Sequence, residues 1–141
     1  MRCGKRALVT GGAGFIGSHL VEALVSRGDT VRVVDNLVTG HRDNLAHVVG
    51  ADLTVGNLAD PEVANRMVTG IDYVVHLAAI PSVPRSITDP ITLNEANVSA
   101  TLSLLFAAKR HSVRRVVFAS SSSIYGKAQT LPSREDAPPD P

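Results

Sequence analysis

An α/β fold, a doubly wound parallel sheet of about five strands in the order 3-2-1-4-5, is what this sequence predicts. Three observations carry the prediction. Short β-branched runs alternate with longer amphipathic runs along the chain. A glycine-rich turn joins the first strand-like run to the first helix-like one. Strands alternating with helices imply βαβ units, with helices on both faces of the sheet, and right-handed crossovers make that strand order the natural one.

Each element has its own signal. Ala7-Leu8-Val9 reads as a buried strand. Phe15 to Arg27 reads as a helix, with Ile16, Leu20, Ala23 and Leu24 recurring on one face, and Gly28-Asp29 stops it. Val31 to Val34 is a second strand ending at Asp35, and Asp52 to Val55 a weaker third. Asp60 is placed to cap a short helix with Pro61 at its first position, and Gly70 closes it. Tyr73 to Leu77 is a fourth strand. Asp89-Pro90 opens a long helix to about Arg110, with Leu93, Ala96, Ala100, Leu104 and Ala108 on its apolar face. Val116 to Ala119 is a fifth strand. After Tyr125-Gly126 no further element is clear, and four prolines crowd the last ten residues. The expected organisation is one incomplete domain over residues 1–126, then a Pro-rich loop, 127–141, leading to a catalytic helix and substrate region that the chain lacks.

Composition narrows the function classes. Of 141 residues, 44% are hydrophobic and 19% charged, which is a folding composition. A chain of this size buries roughly two thirds of its unfolded surface. Lys and Arg number 14 against 13 Asp and Glu, so no general charge favours nucleic acid or an anionic membrane. The single cysteine, Cys3, excludes an internal disulfide and fits a reducing cytoplasm. No apolar run approaches the ~20 residues of a membrane span. The basic start followed by an apolar stretch imitates a signal peptide, but Thr10, Gly11, Gly12 and Gly14 interrupt it. The five histidines show no metal-ligand spacing, so no metal is expected, and His76 reads as a satisfied core residue.

The chemistry concentrates in the turn Thr10-Gly11-Gly12-Ala13-Gly14-Phe15-Ile16-Gly17. It satisfies Gly-x-Gly-x-x-Gly through Gly12, Gly14 and Gly17, and Thr-Gly-x-x-Gly-x-x-Gly through Gly11, Gly14 and Gly17. One glycine turns the chain out of the strand, a second admits a pyrophosphate to the backbone, and a third lets helix and strand pack closely. The helix N-terminus adds free N–H groups and the positive end of a dipole. The second strand ends in Asp35, 18 residues after Gly17, where a carboxylate accepts hydrogen bonds from an adenosine ribose and disfavours a 2′-phosphate. The expected cofactor is therefore NAD rather than NADP, with Arg32 and Arg42 arguing the other way. Asn97, among apolar neighbours, either orders the cofactor side of the sheet or lies unpaired at the surface.

Together with these residues, His76-Leu77-Ala78-Ala79, Pro84-Arg85-Ser86, Asn97-Val98 and Ser120 to Gly126 follow in an order that resembles the extended short-chain dehydrogenase/reductases. Within them the sequence is similar to the N-terminal part of the UDP-glucose 4-epimerase-like branch of the NAD-dependent epimerases and dehydratases, whose fold is Rossmann-type. The resemblance implies a pyrophosphate held by Gly11, Gly14, Phe15, Ile16 and Gly17. It implies Asp35 and Asn36 on the adenosine ribose, Thr39 and Gly40 lining that end, and Asn57 and Leu58 beside the adenine. The family usually has Asp where this chain has Asn57. Leu77, Ala78, Ala79 and Asn97 would complete the cofactor side. Ser121 would be the active-site hydroxyl that hydrogen-bonds the sugar hydroxyl being oxidised, and Ser82, Ser121 and Ser122 would touch the substrate. Ser122 and Ser123 stand where dehydratases of this branch carry an Asp-Glu pair, which argues against a 4,6-dehydratase.

The implied parent activity is nucleotide-sugar epimerisation. NAD takes a hydride from a sugar hydroxyl carbon of a UDP-hexose and returns it to the opposite face, in a protein that forms a homodimer at full length. The family's Tyr-x-x-x-Lys is absent, since Tyr73 is followed four residues on by Leu77 and Tyr125 by Gln129. The chain alone is thus expected to be inactive. Two other readings stay open: a stand-alone NAD-binding or sensing module, and a reductase of the same superfamily acting on a non-sugar carbonyl.

Overall fold

A computed structural model of the chain describes residues 4–126 and 132–141. Cys3, and residues 127–131 of the expected Pro-rich loop, lie outside the described residues. Five parallel strands run β3-β2-β1-β4-β5, the predicted order. They are β1 (Arg6–Thr10), β2 (Thr30–Asp35), β3 (Ala51–Val55), β4 (Tyr73–His76) and β5 (Arg115–Phe118). The hydrophobic pattern places β1 at the centre: Ala7, Leu8, Val9 and Thr10 are all fully buried, and β2 and β4 flank it.

Alternation along the strands splits the core into two layers. Ala7, Val9, Val31 and Val33 face α1 (Phe15–Ser26) together with Val21 and Leu24. Leu8, Val34 and Val74 face the other side, against α2 (Pro61–Val68) and α5 (Ala100–Arg110), where they meet Ala64, Met67, Leu104 and Ala107. Full burial of a side chain such as Leu104 stabilises by about 1.5–3 kcal/mol. The cap predicted for α2 is present: the Asp60 side chain accepts from Glu62 N–H at 2.9 Å, with Pro61 at the first helical position.

Three expectations need correction. The fourth strand stops at His76; Leu77 still donates to the Thr10 carbonyl at 3.1 Å, but Ala78 and Ala79 have turned away from the ladder. The fifth strand begins at Arg115 and ends at Phe118, one position earlier at each end. The long helix is not uniform. It runs as α4 (Pro90–Asn94), a π-helical turn (Glu95–Ser99) and α5, preceded by α3 (Val83–Thr88), which the sequence reading omitted. A π turn holds an extra residue per turn and is frequent at functional sites; here it carries Glu95 and Asn97. Residues 132–141 form turns and extended chain, with Asp140 N–H donating to the Ile124 carbonyl at 2.9 Å.

Candidate dinucleotide site

At the carboxyl end of the sheet, β1 leads into the glycine turn and α1. Gly11 sits at φ +68°, and a Cβ there would lie 2.8 Å from the backbone of Ala78. A Cβ on Gly17 would lie 2.2 Å from the Gly11 carbonyl oxygen. Those two glycines are demanded by the protein's own packing. Gly14 differs, because its Cβ would approach only the Gly11 oxygen, at 3.3 Å. Gly14 is the least crowded of the four glycines in the turn, and it lies at the N-cap of α1.

That helix end is left polarised. No side chain caps it and its first turn holds no acid. The Ser18 N–H bond to the Gly14 carbonyl, 3.0 Å, is the first of the helix. The N–H groups of Phe15, Ile16 and Gly17 precede it and point out of the end, the arrangement that receives a phosphate. The Phe15 and Ile16 side chains are exposed.

Asp35, at the end of β2, is only 8% exposed, and it organises the neighbouring rim. One carboxylate oxygen accepts from Ala13 N–H at 3.0 Å, the other from Leu37 N–H at 2.8 Å. The second bond holds Leu37 at φ 59°, a left-handed conformation rare outside glycine. Each oxygen keeps a further lone pair free to accept. Gly40 is buried against this carboxylate, where a Cβ would come within 3.0 Å of Asp35 Oδ1. Asn36 is exposed and its side chain accepts from Val38 N–H; Thr39 is exposed beside it.

Two contributors escaped the sequence reading. The Ala13 carbonyl accepts from His41 N–H at 3.0 Å and from Asn44 Nδ2 at 2.7 Å. Ala13 is thus clamped on both backbone groups, which ties the glycine turn to the loop after β2. An Asn in a polar loop carries no sequence signal for such a role.

Across the crevice, the Asn97 side chain is paired rather than free. Its Oδ1 accepts from Ile80 N–H at 2.8 Å and its Nδ2 donates to the Ile80 carbonyl at 3.2 Å. This two-point clamp fixes the segment Leu77, Ala78, Ala79 against the long helix. Asn57, Leu58, Ala78 and Ala79 line a crevice with Asp35, Asn36 and Thr39. Arg32, the main argument for a 2′-phosphate, is committed elsewhere: its guanidinium donates to the carbonyls of Arg66, Met67 and Thr69 at the end of α2. Arg42 is exposed in a 3-10 turn.

The predicted reactive residues lie apart from this rim. Ser121 follows β5 and caps a 3-10 turn (Ser122–Tyr125): its Oγ accepts from Ser123 N–H, and its hydroxyl donates to Ser123 Oγ, both at 3.2 Å. Ser122 is exposed in that turn. Ser82 caps α3, accepting from Arg85 N–H at 3.3 Å. Among the described residues no group of His, Cys, Asp and Glu is arranged to hold a metal, and no helix is long and apolar enough to cross a membrane.

A glycine turn at an uncapped helix end, a buried carboxylate on the next strand and a cleft at the point where strand order reverses define a dinucleotide-binding α/β protein. Comparison makes the assignment specific. The sequence profile of the NAD dependent epimerase/dehydratase family matches residues 7–141, and the chain belongs to that family. Its cofactor is NAD. The chain is 37% identical over 135 residues to UDP-glucose 4-epimerase of Azospirillum brasilense, covering 94% of this chain and 38% of that protein. It is 39% identical over 132 residues to UDP-glucuronic acid decarboxylase 1 of Danio rerio, covering 94% and 31%. The crystal structure of Thermus thermophilus UDP-glucose 4-epimerase in complex with NAD superposes with a TM-score of 0.84 at 42% identity, over 96% of this chain and 44% of that one. The chain thus spans about two fifths or less of the curated relatives it matches.

Proposed function

We propose that this chain is the NAD-binding part of a nucleotide-sugar 4-epimerase acting on a UDP-hexose. The observation that carries the reading is the buried Asp35 carboxylate facing a glycine turn in which Gly14 is the least crowded. NAD held there would supply the hydride acceptor, and then the hydride donor, that inversion at a sugar carbon requires. The chain's own residues do the rest. The N–H groups of Phe15, Ile16 and Gly17 receive the diphosphate, Asp35 and Asn36 the adenosine ribose, and the Asn97 clamp holds Ala78 and Ala79 beside it. Thr39, Gly40, Asn57 and Leu58 close the adenine end. Ser121 is exposed, so its hydroxyl can turn from Ser123 to hydrogen-bond the reacting sugar hydroxyl, with Ser82 and Ser122 near the sugar.

The similarity to UDP-sugar 4-epimerases supports the substrate class, and the serines at 122 and 123 support epimerisation over elimination. With no Tyr-x-x-x-Lys in its sequence, this chain turns over no sugar by itself. A cytoplasmic location accords with its single cysteine. Homodimerisation of the whole protein uses the outward side of the long helix. There Ile91, Val98, Leu102, Leu105 and Phe106 are exposed along about 22 Å, with Glu95 exposed between Ile91 and Val98 and Arg110 over the Phe106 ring, a largely apolar surface that suits a second copy.

Calorimetric titration with NAD and NADP tests the reading. Saturable NAD binding with weaker NADP binding is expected, and no interconversion of UDP-glucose and UDP-galactose. Absence of NAD binding overturns the site; turnover by the chain overturns the inactivity.

A further inference from the structure

One wall of the crevice rests on a side chain that none of the roles above uses. After β4 the chain leaves the sheet as Leu77, Ala78, Ala79 and Ile80, and Ala78 stands against the glycine turn: a Cβ on Gly11 would lie 2.8 Å from the Ala78 Cα. This segment is supported at both ends. At its start, Thr10 Oγ1 accepts from the N–H groups of Leu77 and Ala78, both at 3.2 Å. At its far end the Asn97 amide holds both backbone groups of Ile80. His76 links the two supports. Its Nδ1 lies 2.6 Å from Thr10 Oγ1 and its Nε2 lies 2.9 Å from Thr101 Oγ1, a hydroxyl bonded in turn to the Asn97 carbonyl.

The link works with one pattern of donors and acceptors. Thr10 Oγ1 spends both lone pairs on Leu77 and Ala78, so the ring must accept at Nδ1. Thr101 gives its proton to Asn97, so the ring must donate at Nε2. Only the neutral ring does both. An imidazolium carries N–H on both nitrogens. It would offer Thr10 Oγ1 a third N–H for two lone pairs, and a bond to Leu77 or Ala78 would give way. From β1 the ring is faced by Thr10, from α5 by Thr101, and from β5 by the Phe118 ring, with centroids 5.6 Å apart. Among the described residues no charged side chain bonds it. Arg6 and Arg115 begin their strands, at the other end of the sheet. Lys109 and Arg110 stand in the last turn of α5, and Glu95 is bonded to Asn57.

We propose that His76 is a positioning residue for the dinucleotide: its neutral ring ties Thr10 to Thr101 and holds the Ala78 wall in place, and protonation of the ring releases that wall and weakens NAD binding. The inference rests on the dinucleotide reading above and adds to it a residue that acts only through others. Burial, which holds the His76 pKa below its ordinary 6.5, keeps the ring neutral at pH 7.

The test is the NAD dissociation constant, measured by calorimetry from pH 7.5 to 5.5 on the chain and on His76→Asn, His76→Gln and His76→Leu, with circular dichroism confirming the fold at each pH. An Asn amide sets an acceptor where Nδ1 stands, a Gln amide sets a donor where Nε2 stands, and neither titrates. In the unsubstituted chain the affinity is expected to be level near pH 7.5 and to fall toward pH 5.5, by at most about ten-fold per pH unit, the limit for one proton. His76→Asn keeps the Thr10 bond: it binds NAD within about three-fold of the unsubstituted chain at pH 7.5 and loses most of the fall. His76→Gln and His76→Leu lack that bond and bind at least about ten-fold more weakly. A role in stability alone would lower the melting temperature of all three and leave the NAD constant of the folded chain unmoved. An affinity that is level down to pH 5.5 in the unsubstituted chain, or that falls equally in His76→Asn, overturns the proposal and leaves the dinucleotide site standing. So does a His76→Asn that binds no better than His76→Gln. If the chain binds no NAD at any pH, this proposal and the dinucleotide reading fall together.

Discussion

Thr10 Oγ1 and His76 Nδ1 lie 2.6 Å apart in the buried centre of the sheet, and the surrounding bonds decide which of them holds the proton. Thr10 Oγ1 already accepts from the N–H groups of Leu77 and Ala78, both at 3.2 Å, so its own hydroxyl must donate to His76 Nδ1. On the other side, Thr101 donates its hydroxyl to the Asn97 carbonyl at 2.6 Å and so accepts from His76 Nε2 at 2.9 Å. His76 is therefore neutral with its proton on Nε2. It joins the glycine-turn strand to Thr101 of α5 and, through that hydroxyl, to Asn97 of the π turn.

This tautomer has a pH consequence. Burial holds the His76 pKa below its ordinary 6.5 in the folded chain. Between the unfolded and the lowered folded value, the unfolded chain binds the extra proton. Stability is fully present above about pH 6.5 and falls as pH drops through that window, by at most about 1.4 kcal/mol per pH unit. Denaturant titrations at pH 7.5 and 5.5 will show the decline, and His76→Gln will reduce it. Nitrogen-15 spectra at pH 7.5 will show Nε2 protonated and Nδ1 bare.

The glycines of the turn separate by role. Gly17→Ala drives a methyl into the Gly11 carbonyl and costs about 1–3 kcal/mol or more. Gly14→Ala meets the same oxygen only at 3.3 Å, a contact relieved by a shift of a few tenths of an ångström, and its φ of −78° suits alanine. The expected result is a near-normal melting temperature for Gly14→Ala with NAD affinity reduced at least about ten-fold, the equivalent of 1.4 kcal/mol. Calorimetry alongside thermal melts checks both halves.

Asp35→Asn removes one backbone acceptor and the charge together. The Ala13 or Leu37 N–H then loses its partner, at a cost of about 1–3 kcal/mol. NAD binding weakens, while NADP, freed of a carboxylate near its 2′-phosphate, weakens less. Paired titrations will show the ratio of the two constants moving toward one.

Arg32→Ala is expected to lower stability by about 1–3 kcal/mol, since its guanidinium serves three carbonyls at the end of α2. NADP affinity should stay within two-fold. A large fall in NADP affinity would show that this arginine reaches the cofactor after all.

What the sequence made legible was what burial writes into residue type. β1 is buried on both faces beyond Arg6, β2 and β4 bury one face fully and the other in part, and all three read as mostly apolar runs; Asp60-Pro61 and the glycine turn announce themselves by local chemistry. The omitted α3 has six residues and none buried, too short a run to show a helical period, and its apolar pair Val83 and Ile87 faces outward. The π turn shifts helical phase without changing composition. The clamp on Ala13 uses only that residue's backbone, which is blind to side-chain identity. Asn97 was legible as a problem, an amide among apolar neighbours, but its partner Ile80 lies 17 residues away and only the fold reveals it.

The central position of β1 also sets the order in which the molecule comes into being. The glycine turn leaves the ribosome well before its far wall, Ala78, which is fixed through Ile80 to Asn97. β1 pairs with β2 across 24 residues and with β4 across 66, so its second edge stays bare until more than half the described chain has emerged. Such long-range parallel pairing is slow and leaves strand edges open to misassembly. Cofactor present during synthesis therefore meets an unfinished cradle, and binding begins only when the π turn closes over a segment translated much earlier.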